Sequence, residues 1–384
     1  MDGSLSPLGE RRPKRLLIVA GEPSGDHHAA NLVRALAATG EYDVRGVAGP
    51  KMRAAGVRAI VPQEDLAVIG FSGIVAKLPA LFGARAKLLD ACRSFRPDAA
   101  VLVDYPGFNL RLGPQLRARG VPVFYFIAPQ VWAWHPERAA QMAAWVSRLA
   151  VVFPFEEPLF RAAGVQTAFV GHPLLDDLAP EVDAATLRRE IGAPPGARLV
   201  GLLPGSRAGE IAQHARALLE AGRLLRERHA DVFPVVALAE GASLGRLSSG
   251  LRGAVAEVRG RTRSVQAHAA CCAVASGTAT LETALFGTPL VIVYRVGWLN
   301  WQIAKRLVTL SHIGLPNIVA GAEVAPELLQ GALTPEAVAK TLGQWLADPA
   351  ALAARRAALA GLREKLGGPG ASARAARSLA EMLA

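Results

Sequence analysis

The sequence has few residues that could crosslink the chain. It contains three cysteines in 384 residues, Cys92, Cys271 and Cys272, so the count is odd and two of them are adjacent. This arrangement is no disulfide framework, and it favours a reducing cytoplasm. The cysteines also lack the spacing of a metal site, which gives no reason to expect a bound metal.

Long apolar runs are missing as well. The first apolar run, residues 16–20, follows a basic cluster and is too short for the hydrophobic region of a signal peptide. No uninterrupted apolar stretch reaches the length that is needed to cross a bilayer. We therefore expect a cytoplasmic protein, and any membrane contact has to be peripheral.

Acidic residues are in the minority. Lysine and arginine number 43 against 32 aspartates and glutamates, which gives a formal net charge of +11. Such a surplus favours anionic partners, namely nucleic acid, acidic lipid headgroups or phosphorylated substrates, and charge alone does not choose among them. The positive residues are scattered and no nucleic-acid module is recognisable, which argues against nucleic acid.

One pattern opens both halves of the chain. A short apolar strand, a glycine-bearing loop and a helix follow one another from residue 15 and again from residue 198. Further apolar runs suit parallel strands that are buried on both faces. They lie at 99–103, 121–127, 149–153, 232–238, 273–275 and 290–294. The sequence thus predicts an α/β protein with two Rossmann-like halves and a linker within 171–195.

The loop after the first predicted strand carries charge where open α/β sheets place ligands. It contains Glu22, Ser24, Gly25 and Asp26, and it is no dinucleotide fingerprint because the three spaced glycines are missing. Gly25 permits the close approach of a substrate. Asp26 is explained more simply as a helix cap or first-turn acid, whereas Glu22 is harder to explain in that way.

Two further features of the first half could carry chemistry. Asp104 directly follows the apolar run 99–103, and a carboxylate at the mouth of a buried strand is well placed as a general base. An ordinary turn aspartate before Pro106 is the equally good alternative. Trp132 and Trp134 would lie on one side of an extended segment, where they could stack on a sugar or line an acyl chain. Core packing is the simpler explanation for them.

Two loops of the second half predict a pocket for a nucleotide diphosphate. The first offers backbone N–H groups, a helix dipole and a forked cation to a phosphate, although it lacks the ending of a Walker A loop. The second offers hydroxyl and N–H groups, and a glutamate one helical turn later can accept from ribose hydroxyls. The residues of this predicted pocket are Ser206, Arg207, Ser276, Gly277, Thr278 and Glu282.

With these segments in order, the chain resembles the lipid-A-disaccharide synthases. The matching motifs are collinear and cover essentially the whole chain. They include Gly21-Glu22-x-Ser24-Gly25-Asp26, Asp104-x-Pro106-x-Phe108-Asn109, Val131-Trp132-Ala133-Trp134, Phe153-Pro154-Phe155-Glu156, Leu202-Leu203-Pro204-Gly205-Ser206-Arg207, Ala275-Ser276-Gly277-Thr278 and Leu315-Pro316-Asn317. The Trp-Ala-Trp and Leu-Pro-Asn motifs are specific to this family, and agreement over so many motifs indicates kinship with it.

The resemblance implies a GT-B fold, with two facing Rossmann-like domains and a cleft between them. We expect an acceptor-side and membrane-side domain at 1–172, completed by a C-terminal helix at 372–384, and a UDP-sugar-binding domain at 173–366. The implied reaction is an inverting transfer from UDP-2,3-diacylglucosamine to 2,3-diacylglucosamine 1-phosphate. It gives the β-1,6-linked lipid A disaccharide 1-phosphate and UDP, with no metal and no cofactor.

The resemblance also implies roles for particular residues. Glu22, Asp104, Arg207 and Asn317 match positions that are important for activity, so Asp104 and Glu22 are the expected catalytic residues and Asn317 an expected donor-binding residue. One departure stands out, because the family commonly has a second acid where this chain has Gly107. Alternatives are another UDP-sugar enzyme of this fold, either an N-acetylglucosaminyltransferase or an epimerase, and a non-catalytic membrane scaffold. A homodimer is left open.

The segment 66–89 is the predicted membrane contact. Phe71, Leu78 and Phe82 belong to an apolar stripe at helical spacing, with basic residues interspersed. An interfacial helix needs this combination, because the stripe enters the acyl boundary while the cations meet acidic headgroups. An ordinary core-facing helix is the alternative. Since the implied substrates are acylated, we expect this segment to dock on anionic lipid of the inner leaflet.

Overall fold

The computed structural model describes residues 12–66, 73–134, 137–245, 253–297, 301 and 311–384, without the side chains of residues 73–78, 133 and 134. The chain divides into two compact units. The first comprises residues 1–176 and 369–384, and the second comprises residues 177–368. Each unit is built on a parallel sheet, which confirms the predicted α/β class with two Rossmann-like halves.

The first unit contains a sheet of seven parallel strands. These are β1 Lys14–Ala20, β2 Tyr42–Ala48, β3 Arg58–Pro62, β4 Ala99–Val103, β5 Val123–Phe126, β6 Arg148–Val151 and β7 Thr167–Phe169. Their spatial order is β3-β2-β1-β4-β5-β6-β7. The chain builds the sheet outward from β1 in one direction and from β4 in the other. The crevice between β1 and β4 is therefore the switch point at which such sheets bind ligands.

Helices follow the strands of the first unit. They are α1 Pro23–Leu36, α2 Pro50–Ala54, α3 Gly73–Phe95, α4 Pro106–Arg117, α5 Val131–Trp134, α6 Glu137–Ala143 and α7 Glu156–Ala162. Strands β1 and β4 are apolar and buried, as parallel strands covered on both faces must be. A proline in the first turn starts α1 and α4 almost at once after these strands. The short connections place Glu22 and Asp104 at the switch point.

The second unit contains a sheet of six parallel strands. These are β8 Arg198–Leu203, β9 Val232–Leu238, β10 Ala256–Arg259, β11 Cys271–Ala275, β12 Leu290–Tyr294 and β13 Glu327–Leu329. Their order is β10-β9-β8-β11-β12-β13, so the switch point of this unit lies between β8 and β11. The helices are α8 Ala184–Ile191, α9 Ala208–Arg228, α10 Thr262–His268, α11 Thr278–Leu285, α12 Leu315–Ala320, α13 Pro335–Ala347, α14 Pro349–Leu359 and α15 Leu362–Lys365.

The C-terminal helix α16, Ala371–Met382, returns to the first unit and packs against α1. The carboxylate of Asp176 accepts hydrogen bonds from the N–H groups of residues 370–372 at 2.7, 3.0 and 2.9 Å. An acid at this end of a helix satisfies donors that have no partner within the helix and is favoured by the helix dipole. Arg148 of β6 donates to the carbonyl oxygen of Ser378 at 2.9 Å and so attaches the helix to the sheet.

The stretch 171–195 is more ordered than a linker. It contains α8, whose N-cap Asp183 accepts from the N–H of Thr186 at 2.7 Å. Gly192 ends the helix in the left-handed conformation, and Leu187 is fully buried. The proline and aspartate content of this stretch therefore marks the two ends of a short helix as well as the passage between units. No helix in the described parts of the chain is long and apolar enough to cross a membrane.

Candidate functional site

Asp104 and Glu22 stand at the switch point of the first unit, and both side chains are half-buried. Burial and the nearby negative charge of Glu22 raise the pKa of Asp104 to about 6. A carboxyl group with this pKa is still ionised at neutral pH and accepts a proton more readily than an ordinary aspartate does. This is the property that a general base requires.

The backbone holds Asp104 in an unusual conformation. Asp104 and Tyr105 have φ values of +46° and +48°, a region that residues other than glycine seldom occupy. The Asp104 carbonyl accepts from the Tyr125 hydroxyl at 2.8 Å and from the Asn109 side-chain amide at 2.7 Å. The Tyr105 ring lies so close to Gly21 that a Cβ there would be 2.2 Å from it. Packing thus enforces a strained backbone, as is common at functional sites.

Glu156 is a third acid in this region, and the sequence reasoning gave it no role. Its carboxylate is fully buried at the start of α7. It accepts from the Trp132 indole N–H at 3.0 Å and from the N–H groups of Phe153 and Val152 at 3.1 and 3.3 Å. Burial raises the pKa of Glu156 to about 7, and the charge of Asp104 adds to the effect. In the sequence it stands out only as the last residue of the motif Phe153-Pro154-Phe155-Glu156, three residues after a predicted strand.

The other predicted residues of the first unit have different environments. Ser24 is exposed and Gly25 is buried in the first turn of α1. The buried Asp26 carboxylate accepts from three backbone N–H groups at the start of α2, at 2.9, 2.9 and 3.1 Å. This geometry favours the simpler explanation of Asp26 as a capping acid. Trp132 is buried beside Glu156, which favours a packing role, and the Trp134 side chain lies outside the described residues.

The loop after β8 already holds an anion from the protein itself. The N–H groups of Ser206 and Arg207 donate to the carboxylate of Glu210 at 3.0 and 3.3 Å, and the Arg207 guanidinium donates to it at 3.0 Å. Gly205 has φ of +111°, and a Cβ there would lie 2.5 Å from a Glu210 oxygen. The predicted phosphate cradle therefore has the shape to surround an anion, and Glu210 occupies it here.

His214 of α9 ties this loop to the end of β12. Its Nδ1 lies 2.9 Å from the carbonyl oxygen of Pro204, and its Nε2 accepts from the N–H of Arg295 at 2.9 Å. Nδ1 is therefore the nitrogen that carries the proton. Burial lowers the pKa of His214, which keeps the ring neutral. Sequence reasoning missed this residue because a histidine on the buried face of a helix has no local signature.

The turn Ser276-Gly277-Thr278 lies at the end of β11, on the same sheet edge as the loop after β8. Gly277 has φ of +149°, and both Gly277 and Thr278 are exposed, while Ser276 is half-buried. The structure thus brings together the two loops that were predicted to hold a diphosphate. Glu282 is engaged in an ion pair, since Arg263 donates to its Oε1 at 3.0 and 3.1 Å.

Asn317 does not reach this edge as a free ligand. It is fully buried, and its amide nitrogen donates to the carbonyl oxygen of Ala325 at 2.7 Å and to Glu327 Oε1 at 2.8 Å. Its amide oxygen accepts from two backbone N–H groups at 2.8 and 2.9 Å. No hydrogen-bonding capacity is left for a nucleotide. Asn317 and Glu327 together position the chain that enters α12, because Glu327 also accepts from the N–H of Gly314 at 2.9 Å.

Two Rossmann-like units that each carry polar loops at a switch point define a protein of the GT-B class. Solved structures share this fold. A UDP-N-acetylglucosamine 2-epimerase from Neisseria meningitidis has a TM-score of 0.63 and 11% identity, with 96% of this chain and 99% of that chain covered. MurG from Acinetobacter baumannii has a TM-score of 0.55 and 14% identity, with 97% and 99% covered.

Sequence similarity is more specific. Lipid-A-disaccharide synthase from Geobacter metallireducens is 42% identical over 380 residues, which are 98% of this chain and 99% of the relative. The profile of the family described as lipid-A-disaccharide synthetase matches residues 16–378. The chain belongs to the lipid-A-disaccharide synthase family. The prediction of a glycosyltransferase of lipid A synthesis is thereby confirmed, and the epimerase alternative is not favoured, since the likeness to epimerases extends to the fold alone.

Replacing Asn317 tests its role as an internal support. We expect Asn317→Ala to lower the free energy of unfolding by about 3 kcal/mol, because several buried donors and acceptors lose their partner. Urea unfolding of the full chain measures the loss, and calorimetry measures UDP affinity below the transition. Asn317→Asp serves as the matched variant, since it keeps the shape but places a carboxylate beside Glu327. Full stability together with lost UDP affinity would show instead that Asn317 contacts the donor.

Proposed function

We propose that the chain joins UDP-2,3-diacylglucosamine to 2,3-diacylglucosamine 1-phosphate by direct displacement. The 6-hydroxyl oxygen of the acceptor attacks the anomeric carbon of the donor and gives its proton to the carboxylate of Asp104. The bond between the anomeric carbon and the diphosphate oxygen breaks, and UDP departs with the electron pair. The observation that carries this proposal is Asp104 itself, a carboxylate at the switch point with its backbone locked and its pKa raised to about 6.

Glu22 assists this base through its charge. A negative neighbour makes the ionised form of Asp104 less favourable, so Asp104 takes up the acceptor proton more readily. Without Glu22, Asp104 would be a weaker base. This role fits the position of Glu22 at the end of β1, beside β4, where it is difficult to explain as a helix cap because its side chain makes no capping hydrogen bond.

The second unit supplies the groups that stabilise the leaving diphosphate. Arg207 offers a forked cation, and the helix starts at Ser206 and at the turn 276–278 offer backbone N–H groups and favourable dipoles. In this proposal the diphosphate takes the place of the Glu210 carboxylate in the loop after β8. The position of that carboxylate supports the assignment, because it accepts from two N–H groups and from the guanidinium.

The acylated substrates require contact with a membrane surface, and α3 is the proposed contact. The described part of this helix buries Ala84, Leu88 and Cys92 in the core, so the core-facing alternative holds for that side. Phe82 is the one large apolar side chain that is exposed among the described residues, at 55%. Phe71 and the side chain of Leu78 lie outside the described residues. We place the protein on the inner leaflet of the cytoplasmic membrane, attracted there by its net charge.

Removing the basicity of Asp104 tests the chemistry. We expect Asp104→Asn to lower kcat by about 10²–10⁴-fold, because a general base contributes on that order, while UDP affinity stays intact. In the wild-type enzyme, kcat/KM should fall as the pH drops below about 6, where Asp104 takes up a proton. In Glu22→Gln, this fall in kcat/KM should occur at lower pH, because the pKa of Asp104 is no longer raised by the neighbouring charge. The control is Asp90→Asn on the exposed side of α3. Near-normal turnover of the Asp104 variant would assign the base elsewhere.

The donor site is tested by calorimetry with UDP. We expect Arg207→Ala to weaken binding by about 1.5–3 kcal/mol, as for loss of a hydrogen bond to a charged group. Glu210→Gln should tighten binding, because a neutral side chain competes less well with the diphosphate for the same donors. Arg228→Ala, an exposed arginine at the far end of α9, is the control. Equal UDP affinity in folded Arg207→Ala would refute the assignment.

Membrane docking is tested by co-sedimentation with liposomes. Phe82→Ser should reduce binding to vesicles that contain anionic lipid, and its unfolding transition should stay unchanged because the ring is exposed. Binding of the wild type should weaken with added salt, since its electrostatic part is screened. Lys340→Gln in the second unit removes one exposed charge and is the control. Full sedimentation of Phe82→Ser would place the contact outside this part of α3.

A further inference from the structure

A groove of about 430 Å³ opens in the first unit, lined by residues of α4 and α6 and of the chain that follows α6. It begins at Pro106 and Gly107, directly after the loop that carries Asp104. Its apolar lining includes Leu110, Met142 and Trp145. Its volume lies within the range of small-molecule sites in proteins, and its lining combines apolar side chains with polar groups in nearly equal measure.

The floor of the groove is rigid and continuous with the candidate base. The buried Trp145 ring lies against α4 where Gly113 leaves room, since a Cβ at Gly113 would be 2.1 Å from the ring. The same ring packs 6.1 Å from that of Tyr125, measured between centroids. The Tyr125 hydroxyl in turn donates to the carbonyl of Asp104 at 2.8 Å. A molecule seated on Trp145 is therefore held in fixed relation to the Asp104 loop.

The polar groups of the groove are cationic. Arg111 and Arg138 line it, and no acidic residue is among the described residues of the lining. Within the described parts of the chain, Arg138 has no hydrogen-bonding or ion-pairing partner. Arg111 donates one hydrogen bond to the carbonyl oxygen of Gly107 at 2.8 Å. Both guanidinium groups thus keep donors for an anion, and a guanidinium fork matches the geometry of a phosphate. Gly107 helps to keep the groove positively charged, because it has no carboxylate at a position where the family commonly has an acid.

We propose that this groove binds the acceptor substrate. The phosphate monoester lies between Arg111 and Arg138, and part of the acylated body lies on Leu110, Met142 and Trp145. This inference rests on the proposed function, which makes the acceptor a molecule that joins a phosphate to apolar chains. Its reacting hydroxyl and its phosphate are at opposite ends of one sugar ring. A cationic site that starts immediately after the Asp104 loop places the phosphate where the hydroxyl can reach the base.

Steady-state kinetics of the full chain test the proposal. We expect Arg111→Gln and Arg138→Gln each to raise the KM for the acceptor by about 10–100-fold, the size of a lost charge-assisted hydrogen bond. The KM for the donor should not change, because the groove lies outside the loops of the second unit. Arg117→Gln, an exposed arginine in the last turn of α4, is the matched control. An unchanged acceptor KM in both groove variants overturns the proposal.

A second substrate separates phosphate recognition from other effects. An acceptor that lacks the 1-phosphate should have a higher KM than the phosphorylated acceptor in the wild type. In the groove variants, the KM values of the two acceptors should be nearly equal. If the variants keep the full preference for the phosphorylated acceptor, the groove is not the phosphate-binding site and the proposal is refuted. If the wild type transfers no sugar to either acceptor, the proposed function fails. Calorimetry with the phosphorylated acceptor in detergent micelles then tests the groove independently of catalysis. Weaker binding in the two variants supports the proposed acceptor site. Unchanged binding in both variants refutes it.

Discussion

The candidate site of the first unit depends on how the sheet holds the backbone of Asp104. Two side chains, Tyr125 from the neighbouring strand and Asn109 from the helix that follows, both donate to its carbonyl oxygen. Because they bind the main chain, they fix where the carboxylate stands without neutralising its charge. The Tyr105 ring, packed against Gly21, completes the restraint. A base that is fixed through its backbone keeps its place when its protonation state changes, which suits a group that accepts a proton in each turnover.

The two units carry opposite kinds of charge at the same topological position. The first has carboxyl groups at the ends of β1 and β4, and the second has a guanidinium and helix N-termini at the ends of β8 and β11. A displacement at an anomeric carbon needs both, since one partner loses a proton and the other leaves as an anion. The anion-binding character of the loop after β8 is visible in the structure, because its donors bind the carboxylate of Glu210.

The sequence was sufficient to predict the site residues that lie next to a predicted strand in the chain. Asp104, Glu22 and Ser206 directly follow apolar runs or their loops, and a parallel sheet places such residues at one edge. It did not reach partners that the sheet order brings together. Tyr125 lies on a neighbouring strand, and the acid that holds Trp132 is 24 residues away in the chain. The importance of Asn317 came from the family resemblance, and only the structure shows that all of its hydrogen-bonding groups are used internally.

Stability alone does not account for the acids of the first unit. Burial raises the pKa of Asp104 from 3.8 to about 6 and that of Glu156 from 4.5 to about 7. Between the lower and the upper values the folded chain binds more protons than the unfolded chain, so these two groups make the protein less stable as the pH rises through that window. Apolar residues of similar size at these positions would avoid this loss, and a glycine at 105 would relieve the positive φ there. Two acids with raised pKa values and a strained turn at the same edge of one sheet are features that functional sites combine.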